Sequence, residues 1–276
     1  MPILVVALIA ALLIAWFIGQ PRWVAWRRRQ TQAAPFPAEW RRILRRRMPL
    51  FALLPTDLQL QLKKRIQVFL AEKAFIGCQG QAITDEVRVT IAGQACLLLL
   101  NRADEPYPAL RQILVYPSAF LVEHEAIDEA GVVQTGRDLR SGESWSQGQV
   151  ILAWDDTVRG AADPHDGWNV VIHEFAHQLD SQTGVTDGTP DLGSAERHAT
   201  WSAVMQSAYD ALCADSDALD TGGPQPFLDP YGATNPAEFF AVVTECFFER
   251  PRALRTTHPA LYRELSGFYR LNPASW

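Results

Sequence analysis

The segment that decides the interpretation of this chain is residues 166–184, DGWNVVIHEFAHQLDSQTG. It contains two histidines four residues apart, His173 and His177, with Glu174 directly after the first. Residues at positions i and i+4 lie on one face of a helix, so both imidazoles can bind one metal ion while the glutamate faces its open side. The segment therefore predicts a metal-dependent hydrolase.

The flanking residues predict the helix that this geometry needs. Asp166 can cap its start, and Asp180 and Gly184 fall where it should end. The residues that would bury it are apolar: Val170, Val171, Ile172, Phe175, Ala176 and Leu179. The alternative is a pair of histidines on an ordinary buried helix. It is disfavoured because a buried glutamate without an ion would carry an uncompensated charge.

Composition predicts a globular body with a basic head. The 276 residues are 48% hydrophobic, which is ample for a buried core, and the formal net charge is −6. Residues 1–50 contain nine arginines and a single glutamate, so the remainder is strongly acidic. Four cysteines, with no CxxC pair, suit a reducing compartment and are interpreted as small core residues: Cys78, Cys96, Cys213 and Cys246.

The N-terminus predicts a membrane anchor over residues 1–21. Residues 2–18 form an uninterrupted apolar run at the lower limit of the length that spans a bilayer, followed by Trp23, Trp26 and several arginines. A cleaved signal peptide is disfavoured because no charged side chain precedes the run. The arginines after it predict a single-pass protein of the inner (cytoplasmic) membrane, with the catalytic domain in the cytoplasm.

Residues 22–37 are expected to be a basic juxtamembrane linker. The arginines that follow form a cluster, for which anionic lipid is the preferred partner and direct nucleic-acid binding is not expected: Arg41, Arg42, Arg45, Arg46 and Arg47.

Residues 38–276 are expected to form one α+β domain, mostly helical around a small sheet. Residues 38–101 would be a helical layer, with helices from Thr56 to about Lys73 and from Thr84 to Leu100. Residues 102–276 would hold the sheet and the catalytic helices. The expected strands are 113–116, 120–123, 131–134 and 149–154, and the later helices 194–214, 236–248 and 259–269, with a loop over 215–229.

A catalytic zinc usually has three protein ligands, so a third must be found. The candidates are acidic or imidazole side chains beyond the motif: Asp180, His198, Glu238 and Glu245. Glu238 is preferred because it lies in the apolar run Asn-Pro-Ala-Glu-Phe-Phe-Ala, where an unpaired carboxylate would be costly. The alternative for Glu238 is a favourable interaction with the dipole of its own helix.

The motif at 173–180, together with Tyr231 and the run at 235–242, resembles the MtfA family of zinc peptidases. The phrase Gly-Glu-Ser-Trp-Ser-Gln-Gly at 142–148 is similar to that family as well. More distantly, the chain resembles the catalytic domain of anthrax-toxin lethal factor. The resemblance covers about residue 38 to the C-terminus and implies a zincin-like fold.

Position by position, the resemblance implies one zinc ion per chain, with His173, His177 and Glu238 as its ligands. Glu174 would be the base that takes a proton from the attacking water, and Tyr231 would stabilise the oxyanion. Peptides or proteins would be the substrates, and cleavage of short peptides from a free N-terminus is the aminopeptidase variant of this expectation.

Other residues have competing interpretations. Asp180 could instead accept a hydrogen bond from a ligating imidazole, or could simply end the helix. His124, His165 and His198 are expected at the surface. The strand from Val150 to Trp154 could offer its edge to an extended peptide.

Two other functions compete with the peptidase. The resemblance also implies an interaction protein that binds a transcriptional repressor of sugar transport. A deformylase also uses HExxH, but its cysteine ligand comes from a Glu-Gly-Cys-Leu segment, to which Gln94-Ala95-Cys96-Leu97 is a poor match. The deformylase is the weakest of the three.

Overall fold

The computed structural model describes residues 2–102, 107–127, 133–140, 142–145 and 148–276. Its α-helices over these ranges are α1 (Pro2–Ala33), α2 (Ala38–Arg47), α3 (Leu50–Leu53), α4 (Thr56–Glu72), α5 (Asp85–Leu97), α6 (Trp154–Ala162), α7 (Val170–Asp180), α8 (Ala195–Asp220), α9 (Pro236–Glu249), α10 (Pro251–Thr257) and α11 (Pro259–Tyr269). Its strands are β1 (Ala74–Gly77), β2 (Gln112–Tyr116), β3 (Phe120–Ile127), β4 (Val133–Arg140), β5 (Gly142–Trp145) and β6 (Gln149–Ala153). Short 3₁₀ turns lie at Ser181–Thr183, Pro230–Ala233 and Pro273–Ser275.

The main sheet has four strands in the order β1-β2-β6-β5. Strands β1, β2 and β6 are parallel, with Phe75 opposite Ile113 and Ile113 opposite Val150. Strand β5 runs antiparallel to β6, with Gly142 opposite Leu152. A separate antiparallel pair, β3 and β4, completes the described strands. The expectation of a mostly helical α+β fold around a small sheet is confirmed, and it is consistent with a zincin-like metallopeptidase.

The helices that carry the functional motifs lie in the middle of the core. Phe175 of α7 is fully buried, with its ring centroid 4.7 Å from that of Tyr107 and 5.8 Å from that of Phe69. Phe240 of α9 is equally buried, 5.8 Å from the ring of Trp201. Burying one such side chain contributes about 1.5–3 kcal/mol, so α7 and α9 are held firmly against each other and the rest of the core.

The predicted membrane anchor is wrong. Of the residues described, none belongs to a helix that combines the length and apolarity needed to cross a membrane. Helix α1 does not end after the apolar run but continues through Pro21 to Ala33, and its basic second half packs against α4. Arg28 forms a two-pronged ion pair with Glu72, at 2.6 and 3.0 Å. The prediction of an inner-membrane, single-pass protein with a cytoplasmic catalytic domain is contradicted with it.

The arginine cluster that was expected to face lipid makes ion pairs within the protein. Arg46 and Arg47 of α2 both donate to Glu86 at the start of α5, and the ion pair with Arg47 helps to lower the pKa of the Glu86 carboxyl. Arg42 pairs with Glu39 one turn earlier on α2. The membrane partner predicted from this cluster is therefore not supported.

Several local predictions need correction. Helix α7 is capped by Asn169 rather than Asp166, whose carboxylate instead accepts from the main-chain N–H of Trp168. Helix α8 extends to Asp220, so the first six residues of the expected loop over 215–229 belong to the helix. The strand expected at 131–134 lies partly outside the described residues, and β4 begins at Val133.

The strand expected to offer its edge to a peptide lies inside the sheet. Strand β6 pairs with β2 on one side and with β5 on the other, so its backbone groups are already used by both neighbours. Strand β5, which the sequence pattern does not predict, lies next to β6. It also contacts α7, the helix that carries the HExxH motif.

Candidate metal centre

Helix α7 begins at a well-defined cap and passes directly through the core. The side-chain oxygen of Asn169 accepts a hydrogen bond from the N–H of Ile172 at 3.0 Å, and its carbonyl accepts from the N–H of His173 at 2.9 Å. Such a cap satisfies groups that the first turn would otherwise leave without partners. It fixes where the first turn places His173, with His177 one turn further along the same face.

Helix α9 brings the acidic partner. Asn235 caps it by accepting from the N–H of Glu238 at 3.0 Å, and Pro236 occupies its first turn. Proline suits this position because its missing N–H would have no partner in the first turn. Glu238 is therefore held as the third residue of α9, within its first turn. Helix α9 packs against α7.

Three potential ligand atoms meet between these helices. His173, His177 and Glu238 each offer one such atom, all within 4.8 Å of one another. Glu238 Oε2 lies 2.8 Å from His173 Nε2 and 3.4 Å from His177 Nε2, and the two imidazole nitrogens are 3.3 Å apart. Neighbouring ligands of a tetrahedral zinc ion lie roughly 3.3 Å apart, so this donor set fits the ion in both chemistry and spacing.

The charges at the centre suit a cation. Burial by itself lowers the pKa of the His173 imidazole, but Glu245, Glu238 and Glu174 around it raise that pKa well above its usual value. Burial by itself raises the pKa of the Glu238 carboxyl. The hydrogen bonds with His173 and His177 outweigh burial, so this pKa lies far below its usual range. The carboxylates around His173 therefore favour a positive charge at this point, which a bound metal cation would supply.

Glu245 holds the far side of the His173 ring, a contact that the sequence pattern does not predict. Its Oε1 lies 2.7 Å from His173 Nδ1, on the opposite side of the ring from Glu238. A carboxylate at this position fixes the tautomer of a metal-binding histidine and makes it a better ligand. The available signal was its spacing of seven residues from Glu238, because two turns of α9 place both carboxylates on one face.

Glu174 and Tyr231 are both neighbours of His173, the first in sequence and the second in space. Glu174 follows His173 on α7 and is 5% exposed, so it is almost completely removed from solvent. Tyr231 lies in the 3₁₀ turn before α9, where Asp229 accepts a hydrogen bond from its N–H. Its ring centroid is 5.9 Å from that of His173, while the residue remains 54% exposed. The structure thus brings the three predicted ligands together and places the ring of Tyr231 near His173, while the catalytic roles of Glu174 and Tyr231 stay predictions.

Asp180 takes neither of the two metal-related roles considered for it. It ends α7, is fully buried, and its Oδ2 accepts a hydrogen bond from the N–H of Gly188 at 2.8 Å. Among the described residues, neither its Oδ1 nor His177 Nδ1 has a hydrogen-bond partner, so the two are not bonded to each other. Burial raises the pKa of the Asp180 carboxyl to about 6.

The remaining candidates lie away from the centre. Within the described residues, His198 and Cys96 do not belong to any group of side chains that could hold a metal ion. Cys96 is fully buried in α5, where burial raises the pKa of its thiol, which argues against the deformylase alternative. His165 is exposed, as expected, and the side chain of His124 lies outside the described residues.

An HExxH helix joined by a glutamate from a later helix defines a metal-dependent hydrolase of the metallopeptidase class. The family model for the glucose-regulated metallo-peptidase M90 matches residues 23–270, and the chain belongs to this family. The resemblance to MtfA peptidases is thereby confirmed, and the family implies a divalent metal at this site.

Individual relatives match over nearly the whole chain. An uncharacterised protein from Synechocystis is 43% identical over 274 residues, which are 99% of this chain and 98% of the relative. Proteins called Mlc titration factor A, from Yersinia pestis and Yersinia pseudotuberculosis, are 33% identical over 253 residues, covering 91% of this chain and 90% of the relatives.

Proposed function

We propose that this protein is a zinc-dependent peptidase that binds one zinc ion through His173, His177 and Glu238. The observation that carries the proposal is the meeting of three ligand atoms from α7 and α9, with Glu245 holding the far side of the His173 ring. Two imidazoles and one carboxylate are a ligand set typical of catalytic zinc, which keeps a fourth position open.

When bound, zinc polarises a substrate carbonyl and lowers the pKa of a water molecule to about 7. Glu174 takes a proton from the attacking water and later gives it to the leaving amine. Its burial supports this role, because a carboxylate shielded from bulk solvent interacts more strongly with the charges that develop beside it. Tyr231, at the exposed side of the centre, donates a hydrogen bond to the oxygen on which negative charge develops.

Replacing Tyr231 with phenylalanine should lower kcat by about 10²–10³-fold, because one donor to the oxyanion is lost. The ring that lies near His173 is retained, so zinc content and thermal stability should stay at the wild-type values. The measurement is steady-state hydrolysis of a chromogenic peptide. The matched control is Tyr209→Phe, which removes the hydrogen bond from the Tyr209 hydroxyl to the carbonyl of Ala233. Equal kcat values for the Tyr231 variant and the wild type would remove Tyr231 from the mechanism.

The outer edge of β5 is the proposed docking site for an extended peptide. Strand β5 lies at the end of the sheet next to β6 and contacts α7, and among the described strands none pairs with its other edge. A peptide added there would form main-chain hydrogen bonds largely independent of its sequence. It would lie alongside the metal helix.

Two proline variants separate binding from folding at this edge. Neighbouring residues of a strand direct their N–H groups to opposite edges, so one of Glu143 and Ser144 faces outward and the other faces β6. Proline at the outward position should raise KM several-fold without changing the melting temperature. Proline at the inward position should lower the melting temperature, because it removes a bond to β6. Unchanged KM values in both variants would contradict docking at β5.

The direct test of the proposed function uses the full-length protein. About one zinc per chain is expected, together with chelator-sensitive hydrolysis of short chromogenic peptides that zinc restores. Peptides with free and with blocked N-termini belong in the same panel, because preference for the free form would show aminopeptidase activity. Well-folded protein that takes up no zinc when zinc is supplied would refute the proposal.

A regulatory binding role is the second candidate. The name of the Yersinia relatives says that they titrate a factor called Mlc, which favours a role for this chain in binding a transcriptional repressor. The Glu174→Gln variant separates the two functions, because it should keep its metal and its surface but lose hydrolysis. A regulatory effect in cells that survives this substitution would favour binding, and an effect that disappears would favour proteolysis.

A further inference from the structure

The cap residue of the metal helix makes contacts that a helix cap does not need. Asn169 is 3% exposed, and its side-chain oxygen performs the ordinary capping role toward Ile172. Its side-chain amide donates two further hydrogen bonds, to Glu249 Oε1 at 2.9 Å and to the carbonyl of Gly160 at 3.0 Å. Its main-chain N–H donates to Glu245 Oε2. One buried residue thus connects the start of α7, the end of α6 and two carboxyl groups of α9.

These contacts lead directly to the metal centre. Glu245 uses Oε2 for the N–H of Asn169 and Oε1 for His173 Nδ1, so the position of Asn169 sets the direction from which Glu245 holds the imidazole. Asn169 also accepts from the N–H of His173, so it reaches the same ligand through the backbone. Both paths run through the main-chain N–H and C=O of Asn169, so they depend on the side-chain bonds to Gly160 and Glu249 that help to hold this residue in one orientation.

Glu249 is suited to fix that orientation. It lies one turn after Glu245 on α9 and is 2% exposed. Burial raises the pKa of its carboxyl to about 10, while the bond from Asn169 lowers it and the nearby Glu245 and Asp166 raise it further. Burial therefore favours the neutral form of this acid. Its Oε1 accepts a hydrogen bond from the Asn169 amide, while its Oε2 has no hydrogen-bond partner among the described residues.

We propose that Asn169 and Glu249 are positioning residues for the metal centre, acting on His173 through Glu245. The inference rests on the proposed function, since it assigns these residues to the zinc site. Neither residue touches the three ligand atoms, and the HExxH pattern does not include them. Residues that orient a metal ligand typically contribute 10–100-fold to metal affinity. Glu245 contacts the ligand His173 directly, and Asn169 contacts Glu245.

The test compares two cap variants in the full-length protein. Asn169→Ser keeps an oxygen that can cap α7 but loses the amide donor, so the zinc affinity should fall by about tenfold. Ser194→Ala is the matched control, because it removes the cap of α8, which accepts from Arg197 and has no link to the centre. Zinc affinity is measured by competition with a chelator, and thermal unfolding is measured on the zinc-free proteins.

Glu249 is tested by a pair of variants of similar size. Glu249→Gln should bind zinc as the wild type does, because glutamine keeps an oxygen that can accept from the Asn169 amide. Glu249→Leu loses this bond and should lower the zinc affinity by about as much as Asn169→Ser. Rescue by glutamine but not by leucine, at matched thermal stability, is a result that a purely structural role would not give.

The outcomes separate this inference from the function on which it rests. Zinc affinity in Asn169→Ser equal to that of Ser194→Ala would overturn the positioning role while leaving the zinc peptidase intact. Wild-type protein that binds no zinc would overturn both. A lowered affinity in Asn169→Ser, with Ser194→Ala at the wild-type affinity, would establish the role.

Discussion

Replacing Glu174 with glutamine is expected to lower kcat for peptide hydrolysis by about 10²–10⁴-fold. Glutamine has nearly the same size and shape but cannot take a proton from the attacking water. The three ligand atoms come from other residues, so zinc content should remain at about one per chain. Because the side chain is almost completely buried, the isosteric change also avoids the cavity that alanine would leave.

The appropriate control is Glu196→Gln, which makes the same chemical change on the exposed first turn of α8. It should leave kcat, KM and zinc content unchanged. Both proteins are compared by zinc analysis and by steady-state hydrolysis of the same peptide. A Glu174→Gln variant with full activity would show that another group accepts the proton, and the proposed mechanism would then be wrong.

The part of the site that lies on α7 could be predicted from sequence because it depends on local geometry. The spacing of His173 and His177 determines that both point to one side of any helix that contains them. Glu238 lies sixty-one residues beyond His177 in sequence, and no local rule brings it to the same place. The cost of burying a carboxylate and, above all, the resemblance to a family favour Glu238 as the third ligand. The packing of α9 on α7 supplies the physical reason.

Glu245 and Asn169 show what the pattern of residue types leaves out. Sequence alone does not separate a carboxylate that binds a metal from one that binds a histidine, so the pattern predicts Glu245 only as a possible ligand. Asp166 and Asn169 are both good capping residues, and residue type does not decide which of them caps α7. Tertiary contacts distinguish Asn169 from Asp166, because Asn169 also donates hydrogen bonds to two carboxyl groups of α9.

The errors at the N-terminus and in the sheet arise from non-local packing. The apolar run at 2–18 has the minimum length of a membrane-spanning helix, and the anchor prediction depends on that length. Length alone does not show that the helix continues to Ala33 and that Arg28 pairs with Glu72 of α4. Strand β5 is only four residues long and has no alternation of apolar residues, so its local sequence does not predict a strand. It is a strand because it pairs with β6. The same pairing removed the edge that β6 was expected to offer.

Replacing Glu238 with alanine is expected to reduce zinc affinity by more than the 10–100-fold typical of residues that only orient a ligand. The variant leaves two imidazoles, which are too few for a stable catalytic site. Hydrolysis at low zinc should disappear with the metal. Competition with a chelator measures the affinity directly, and metal analysis after gel filtration measures the zinc that remains bound.

Thermal stability alone would not answer this question, because Glu238 also contributes without a metal. Its pKa is lowered in the folded protein, so its ionised form stabilises the fold at pH values above the pKa it has when unfolded, and this contribution is lost as the pH falls through its folded pKa. Zinc-free Glu238→Ala should therefore unfold at a lower temperature than the zinc-free wild type at neutral pH, and the difference should shrink in acid. Glu245→Gln is the matched comparison, because it keeps an oxygen for His173 and should lose much less zinc than Glu238→Ala. Equal zinc affinity in Glu238→Ala and the wild type would move the third ligand to another residue, and the geometry of α7 and α9 would then need a different explanation.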